Sequence, residues 1–208
     1  MTIWIGRSIS QSQFIRSVVW NNEPNQKQFV IVDINSVDPS KEIGILTDGP
    51  SDDYKTFFYS YSENSLYDIG SVPAIMEDLS KTFDGKGYIF GNKRLSVLQT
   101  WYAPARWKLE GQVIRMDPDD IYYPIVWDYQ QTVFLKENLP IYKNIGDSEP
   151  YGILKTQEVE FLATDNSNWC QIKGKDGTTG WFKFDRFDHL LDLDKSAMDV
   201  FENLFNAD

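Results

Sequence analysis

The chain has 208 residues, of which 41% are hydrophobic and 25% are charged, proportions typical of globular proteins rather than disordered chains. Its formal net charge of −11 argues against a sequence-independent grip on nucleic acid or on an anionic membrane, because both need a basic surface. No apolar run approaches the length of a membrane span. The single cysteine, Cys170, excludes an intramolecular disulfide, and the single histidine, His189, leaves little room for histidine-based catalysis.

Most of the chain is predicted to form short β-strands separated by turns. Aromatic residues make up 15% of the sequence, and they cluster with β-branched residues in short runs bounded by Gly, Asn and Asp. The predicted strands in the first part of the chain are 29–33, 42–47, 56–61, 87–90, 95–101, 106–110 and 112–116. Because long helices do not alternate with these strands, we expect an all-β fold whose first part is a propeller-blade-like sheet or a sandwich.

Two segments are predicted to be helical. Residues 72–79 form a short candidate after Gly70, and residues 194–205 form the clearest one, with Asp194 or Ser196 as its N-cap. We expect the second segment to be a C-terminal helix that docks by one apolar face. The residues at helical spacing on that face are Ala197, Met198, Phe201, Leu204 and Phe205.

An acidic loop joins the predicted strands 29–33 and 42–47. Its oxygen-bearing side chains are those of Asp33, Asn35, Asp38 and Glu42, and several oxygens on a bent backbone are the ligands that Ca²⁺ prefers. The loop resembles that of the FG-GAP/VCBS repeat of integrin-α-like propellers, and this resemblance implies a calcium ion held by the four residues. A second interpretation is a metal-free turn in which Asp33 and Asn35 cap backbone amides, since the glycine of the repeat is missing.

A domain boundary is predicted between residues 128 and 129, which divides the chain into an N-terminal β domain of 1–128 and a C-terminal domain of 129–208. The second domain contains five short strands around tight turns. In one of them, alternation places Trp169 and Gln171 on one side and Cys170 on the other. The following turn at 175–178 is expected to bring Trp181 back beside this strand.

The order of these segments resembles the bacterial SH3 (SH3b) domain family. The matching stretches are Leu-Pro-Ile-Tyr at 139–142, Tyr-Gly-Ile-Leu at 151–154, Glu-Val-Glu-Phe at 158–161, Asn-Trp-Cys-Gln-Ile at 168–172 and Asp-Gly-Thr-Thr-Gly-Trp-Phe at 176–182. The resemblance implies a small SH3-like barrel that binds cell-wall peptides or links other domains in exported bacterial proteins. The candidate ligand-binding residues are Tyr142, Asn144, Trp169 and Gln171. A second interpretation makes Trp169 and Trp181 barrel core and hairpin support rather than a ligand platform.

We therefore predict a non-catalytic binding protein that recognises a cell-wall peptide, a glycan or a protein partner. The first residues show no secretory leader, so the chain is expected to be either cytoplasmic or the mature form of an extracellular or cell-envelope protein, and the resemblance favours the second. One alternative is a small hydrolase with a carboxylate active site in the N-terminal domain, which requires two facing carboxylates, one with a raised pKa. The other alternative is a calcium-dependent adhesion protein.

Overall fold

The computed structural model describes residues 15–18, 29–47, 55–62, 65–73, 79–126 and 132–206. Strands account for most of these residues, so the prediction of an all-β fold is confirmed. The chain forms two compact units, of which the first comprises Met1–Gly91 and Arg106–Met116 and the second comprises Asn92–Ala105 and Asp117–Asp208.

The first unit is built on a five-stranded antiparallel sheet whose strand order follows the chain. Its strands are β1 (Ile15–Val18), β2 (Phe29–Val32), β3 (Lys41–Thr47), β4 (Lys55–Ser62) and β5 (Ser65–Pro73). Alternation in β2 turns Val30 and Val32 into the core, where Phe58 and Phe83 also pack, edge to face at 6.0 Å. Gly44 is required in β3, because a Cβ there would lie 2.9 Å from the ring of Phe58.

A short helix and a second sheet follow the first sheet. The helix α1 spans Leu79–Thr82, and the three-stranded sheet consists of β6 (Tyr88–Val97), β7 (Gln99–Glu110) and β8 (Val113–Asp117). The predicted helix at 72–79 is wrong at its start, because Val72 belongs to β5 and pairs with Thr56 of β4. Residues 74–78 of that prediction lie outside the described residues.

The second unit is organised around a seven-stranded antiparallel sheet in the order β16-β15-β14-β13-β12-β9-β17. The elements of this part of the chain are β9 (Val133–Leu135), β10 (Leu139–Ile141), β11 (Gly152–Leu154), β12 (Gln157–Thr164), β13 (Trp169–Gly174), β14 (Thr179–Asp185), β15 (His189–Leu190), β16 (Lys195–Ser196), α2 (Ala197–Val200) and β17 (Phe201–Glu202). The last strand pairs with the first, since Phe201 lies opposite Leu135, and β10 and β11 form a separate hairpin.

The core of the second unit is a cluster of aromatic rings. Phe161, Phe182 and Phe201 lie within 6.3 Å of one another, and Trp101 packs edge to face against Phe161 at 5.4 Å. Such rings bury a large apolar area, so they contribute substantially to the hydrophobic stabilisation of this unit. Trp101, which comes from β7, therefore belongs to the interior of the second unit.

The predicted boundary between residues 128 and 129 differs from the observed division. Residues 92–105 and 117–126 belong to the second unit. Tyr122 forms two backbone hydrogen bonds with Thr164 of β12, at 2.8 and 2.9 Å, and the amide of Thr100 donates to the carbonyl of Phe205 at 2.7 Å. Backbone pairing of residues far apart in the chain leaves no signature in local sequence pattern, so such a division is not visible from the sequence.

The predicted C-terminal helix at 194–205 is mostly wrong. Ser196 does act as an N-cap, with its hydroxyl accepting from the amide of Met198 at 3.3 Å, but the helix ends after one turn at Val200. Phe201 then enters β17 and adds its ring to the aromatic core. A single turn gains little from helix propensity, so strand pairing and burial of Phe201 determine the structure here. Met198, expected on the buried face, is exposed.

Candidate functional site

The acidic loop forms the connection of the β2–β3 hairpin in the first unit. Glu42 is the most enclosed of the four predicted metal ligands, with 1% of its surface exposed. Its Oε2 accepts from the amide of Ile34 at 2.9 Å, and its Oε1 accepts from the hydroxyl of Ser40 at 3.0 Å. Burial raises the pKa of the Glu42 carboxyl, and the hydrogen bond from Ile34 opposes this effect.

The other three predicted ligands also bind groups of the loop itself. Asp33 Oδ2 lies 2.6 Å from the Lys41 ammonium, while its buried Oδ1 has no hydrogen-bond partner among the residues that the structure describes. Asp38 accepts from both the amide and the hydroxyl of Ser40, and Asn35 accepts from the amide of Val37 at 3.4 Å. Among the described residues, no three His, Cys, Asp or Glu side chains converge as a metal site would require. Calcium binding by the loop stays a prediction.

Two of the predicted ligand-binding residues, Trp169 and Gln171, lie on the outer side of β13. Buried side chains alternate with partly exposed ones along both strands, which confirms the predicted alternation of Trp169 and Gln171 with Cys170. Trp169 lies opposite Lys183, and Gln171 lies opposite Trp181. Both tryptophans are partly exposed on the outer side of the sheet rather than fully buried, and the choice between hairpin support and a ligand platform stays open.

Tyr142 joins this surface from the end of the β10 strand. Its backbone pairs with that of Trp181 through hydrogen bonds of 2.7 and 2.8 Å. This pairing requires Gly180, because a Cβ there would lie 2.6 Å from Cβ of Ile141. The Tyr142 ring meets the Trp169 ring edge to face at 5.3 Å. We call the surface formed by Tyr142, Trp169, Gln171, Trp181 and Lys183 the aromatic face.

Lys183 places its ammonium over both rings of the aromatic face. Its Nζ lies 3.9 Å from the centre of the Tyr142 ring and 5.2 Å from that of Trp169, which are distances of cation–π contacts. The Tyr142 hydroxyl donates to the Asp192 carboxylate at 2.8 Å. Burial raises the pKa of Tyr142, so the phenol keeps its proton and remains a donor at neutral pH.

Asn144 is the fourth predicted ligand-binding residue, and none of its hydrogen bonds among the described residues links it to the aromatic face. It is exposed in the turn that follows Tyr142, where its amide donates to Asp147 Oδ2 at 2.9 Å. Its side-chain amide donates weakly to the same oxygen at 3.4 Å. The contacts of Asn144 therefore stabilise the turn.

Sequence reasoning missed Lys183 and Asp192. Lys183 follows Trp181 by two positions, so strand alternation alone predicts that it shares the outer side with Trp181. Asp192 reaches Tyr142 across 50 positions of the chain, and no local pattern indicates that contact.

The candidate catalytic side chains are the cysteine, the histidine and the carboxylates, and their contacts in the structure are as follows. Cys170 is fully buried, and burial raises the pKa of its thiol well above its usual value, which disfavours the nucleophilic thiolate. His189 lies 3.3 Å from Asp194. Glu42 has the raised pKa that the hydrolase alternative needs, but its carboxyl is enclosed by backbone and Ser40. Asp119 and Asp120 are exposed, and Asp52 and Asp53 lie outside the described residues.

No protein-family model, curated protein or solved structure matches this chain. Among the described residues, no helix has the length and apolar composition needed to span a membrane.

Proposed function

We propose that the protein is a non-catalytic binding protein of the cell envelope or the extracellular space, and that the aromatic face of the second unit binds a cell-wall peptide. The observation that carries this proposal is the contact of the partly exposed Trp169 and Lys183 with the ring of Tyr142, which is itself buried at 3% exposure. Partly exposed aromatic side chains grouped with a few polar groups are typical of ligand-binding surfaces. The resemblance of residues 139–182 to bacterial SH3 domains supports the same assignment.

The geometry favours a peptide over a glycan as the ligand. A sugar ring binds by stacking on an open aromatic face, but the Lys183 ammonium lies over the ring of Tyr142 and near that of Trp169. A peptide instead offers polar groups to Lys183 and Gln171 and small apolar side chains to the edges of the rings. Peptide ligands therefore match this mixture of groups better.

Sedimentation of the full chain with purified peptidoglycan tests the proposal. We expect the wild type to sediment with the wall and Trp169→Ala to remain in solution, because the substitution removes half of the aromatic pair. Lys175→Ala is the matched control, since Lys175 is 71% exposed and bonds to Glu158 in the neighbouring hairpin. Its sedimentation should equal that of the wild type.

Two results would contradict the proposal. If the wild-type chain stays in solution, the hypothesis of a cell-wall ligand is wrong. If Trp169→Ala sediments at the wild-type level, the binding site does not include Trp169. Treatment of the wall with an amidase that releases the peptides from the glycan separates the two ligand classes. We expect the chain to follow the peptide fraction.

A further inference from the structure

The strands β6 and β7 contribute to both compact units. They are hydrogen-bonded neighbours, and Leu98 alone joins them in the chain. The division between the units falls inside both strands, after Gly91 in β6 and after Ala105 in β7. We call these two strands the shared hairpin, because its base belongs to the first unit and its far end belongs to the second.

The base of the shared hairpin completes the core of the first unit. Ile89 is 0% exposed, and Trp107 is 6% exposed. The amide of Gly87, just before β6, donates to the carbonyl of Ile34 at 2.8 Å, and the amide of Leu109 donates to the carbonyl of Gly87 at 2.8 Å. Loss of the base would expose the two buried side chains and leave the carbonyl of Ile34 without this donor.

The far end of the shared hairpin completes the core of the second unit. Leu98 is 1% exposed and Trp101 is 2% exposed, and Trp101 packs in the aromatic core described above. The amide of Leu98 donates to the carbonyl of Phe187 at 2.7 Å, and that of Thr100 donates to the carbonyl of Phe205 at 2.7 Å. The second unit therefore depends on a segment that precedes most of it in the chain.

Sharing of one motif between two cores has a consequence for unfolding. Segments of a protein that open together commonly coincide with supersecondary motifs such as a hairpin. If either unit opens, its end of the hairpin loses the packing that orders it, and the ladder of hydrogen bonds that continues into the other unit is weakened. Opening of one core thus raises the free energy of the other.

We propose that the shared hairpin couples the unfolding of the two units, so that neither core opens while the other stays folded. The inference does not depend on the proposed function. A ligand that binds the folded state of either unit then stabilises both units.

Differential scanning calorimetry of the full chain gives the first test. We expect one transition whose calorimetric enthalpy equals its van't Hoff enthalpy, which is the criterion for all-or-none unfolding. Two separate transitions, or a calorimetric enthalpy about twice the van't Hoff enthalpy, would mean that the units unfold independently and would overturn the inference.

The buried thiol of Cys170 supplies a probe of the second unit. It is the single cysteine of the chain and is 0% exposed, so its reaction with iodoacetamide under native conditions reports opening of that unit. Ile34→Val and Ile69→Val each remove a methylene from the core of the first unit, where these residues are 0% and 1% exposed. We expect each to speed the labelling about fivefold.

The matched control is Val37→Ala, because Val37 lies in the same unit and is 90% exposed. Its labelling rate should equal that of the wild type. Wild-type labelling in Ile34→Val or Ile69→Val, in a variant whose melting temperature has fallen, overturns the coupling.

A variant with a short Gly-Ser insertion after Gly91 and another after Ala105 tests the role of the shared hairpin itself. Each unit keeps its own part of the two strands, but a flexible linker now interrupts the ladder between them. We expect the calorimetric transition to separate into two and Ile34→Val to lose its effect on Cys170 in this background. A single transition that persists would assign the coupling to another part of the chain and overturn the role of the hairpin.

Discussion

The acidic loop of the first unit and the aromatic face of the second unit both gather charged groups at a hairpin, but they arrange them in opposite ways. In the loop, Glu42 and Asp38 turn toward donors of their own segment, and Lys41 neutralises Asp33. On the aromatic face, the Lys183 ammonium lies over the rings of Tyr142 and Trp169, and the Tyr142 hydroxyl that it also contacts donates to Asp192.

The two clusters therefore differ in the kind of partner that their charged groups have. Hydrogen bonds to Glu42 satisfy the amide of Ile34, which would otherwise be a buried donor without a partner. Lys183, by contrast, contacts the Tyr142 hydroxyl and the two rings. The contacts of the loop thus serve the fold, whereas a role of the face in ligand binding is the proposal made above, and three measurements test this comparison.

The first prediction, with the greatest change in stability, compares a substitution on the buried side of β14 with one on its outer side. Phe182 is fully buried and lies 5.9 Å from Phe201, so Phe182→Ala should lower the free energy of unfolding of the second unit by about 3–5 kcal/mol. Lys183→Gln, one position further along, should change it by less than about 0.5 kcal/mol. Urea denaturation followed by tryptophan fluorescence measures both. Equal losses would mean that β14 does not have distinct inner and outer sides.

The second prediction concerns the enclosed carboxyl of the loop. Because burial raises the folded-state pKa of Glu42 above its usual 4.5, the folded chain binds that proton more tightly than the unfolded chain does. The resulting stabilisation is complete below 4.5 and is lost as the pH rises through the raised pKa. Glu42→Gln imitates the protonated form. The melting temperature of this variant minus that of the wild type should therefore increase by a few degrees as the pH rises from 4 to 7.

A matched control for this measurement is Glu110→Gln in the same unit. Glu110 is exposed and lies 3.6 Å from Lys108, so removing its charge should not help the fold at neutral pH. A constant difference between Glu42→Gln and the wild type across this pH range would contradict the role of burial. It would instead place the carboxyl in contact with water.

The sequence predicts the strands of this protein better than its connections. Alternation and turn residues indicate the strands around Val30, Phe58 and Trp169, because period-two patterning reports burial directly. The segment at 194–205 shows the limit of that reasoning. Its apolar residues fit helical spacing, yet Phe201 leaves the helix to pair with Leu135, a partner 66 positions earlier whose influence no local window contains.

The candidate site was predictable to a similar extent. The order of motifs and strand alternation indicate Tyr142, Trp169 and Gln171, which the structure places close together, and their role in ligand binding stays a prediction. Asn144 followed from proximity in sequence alone, and its contacts lie in its own turn. Asp192 depends on how the chain returns after β15, so only the structure identifies it.

The smallest expected effect is that of calcium on the acidic loop. Lys41 supplies the positive charge next to Asp33, and both oxygens of Glu42 already accept protein donors, so a cation would have to displace several contacts. We expect millimolar Ca²⁺ to shift the melting temperature of the chain by less than about 1 °C, since a ligand stabilises only as far as it binds the folded state. Differential scanning calorimetry with and without Ca²⁺ measures this, with Mg²⁺ as the ionic-strength control. A larger rise that Asp33→Ala abolishes would establish the calcium site and would give the loop a ligand of its own.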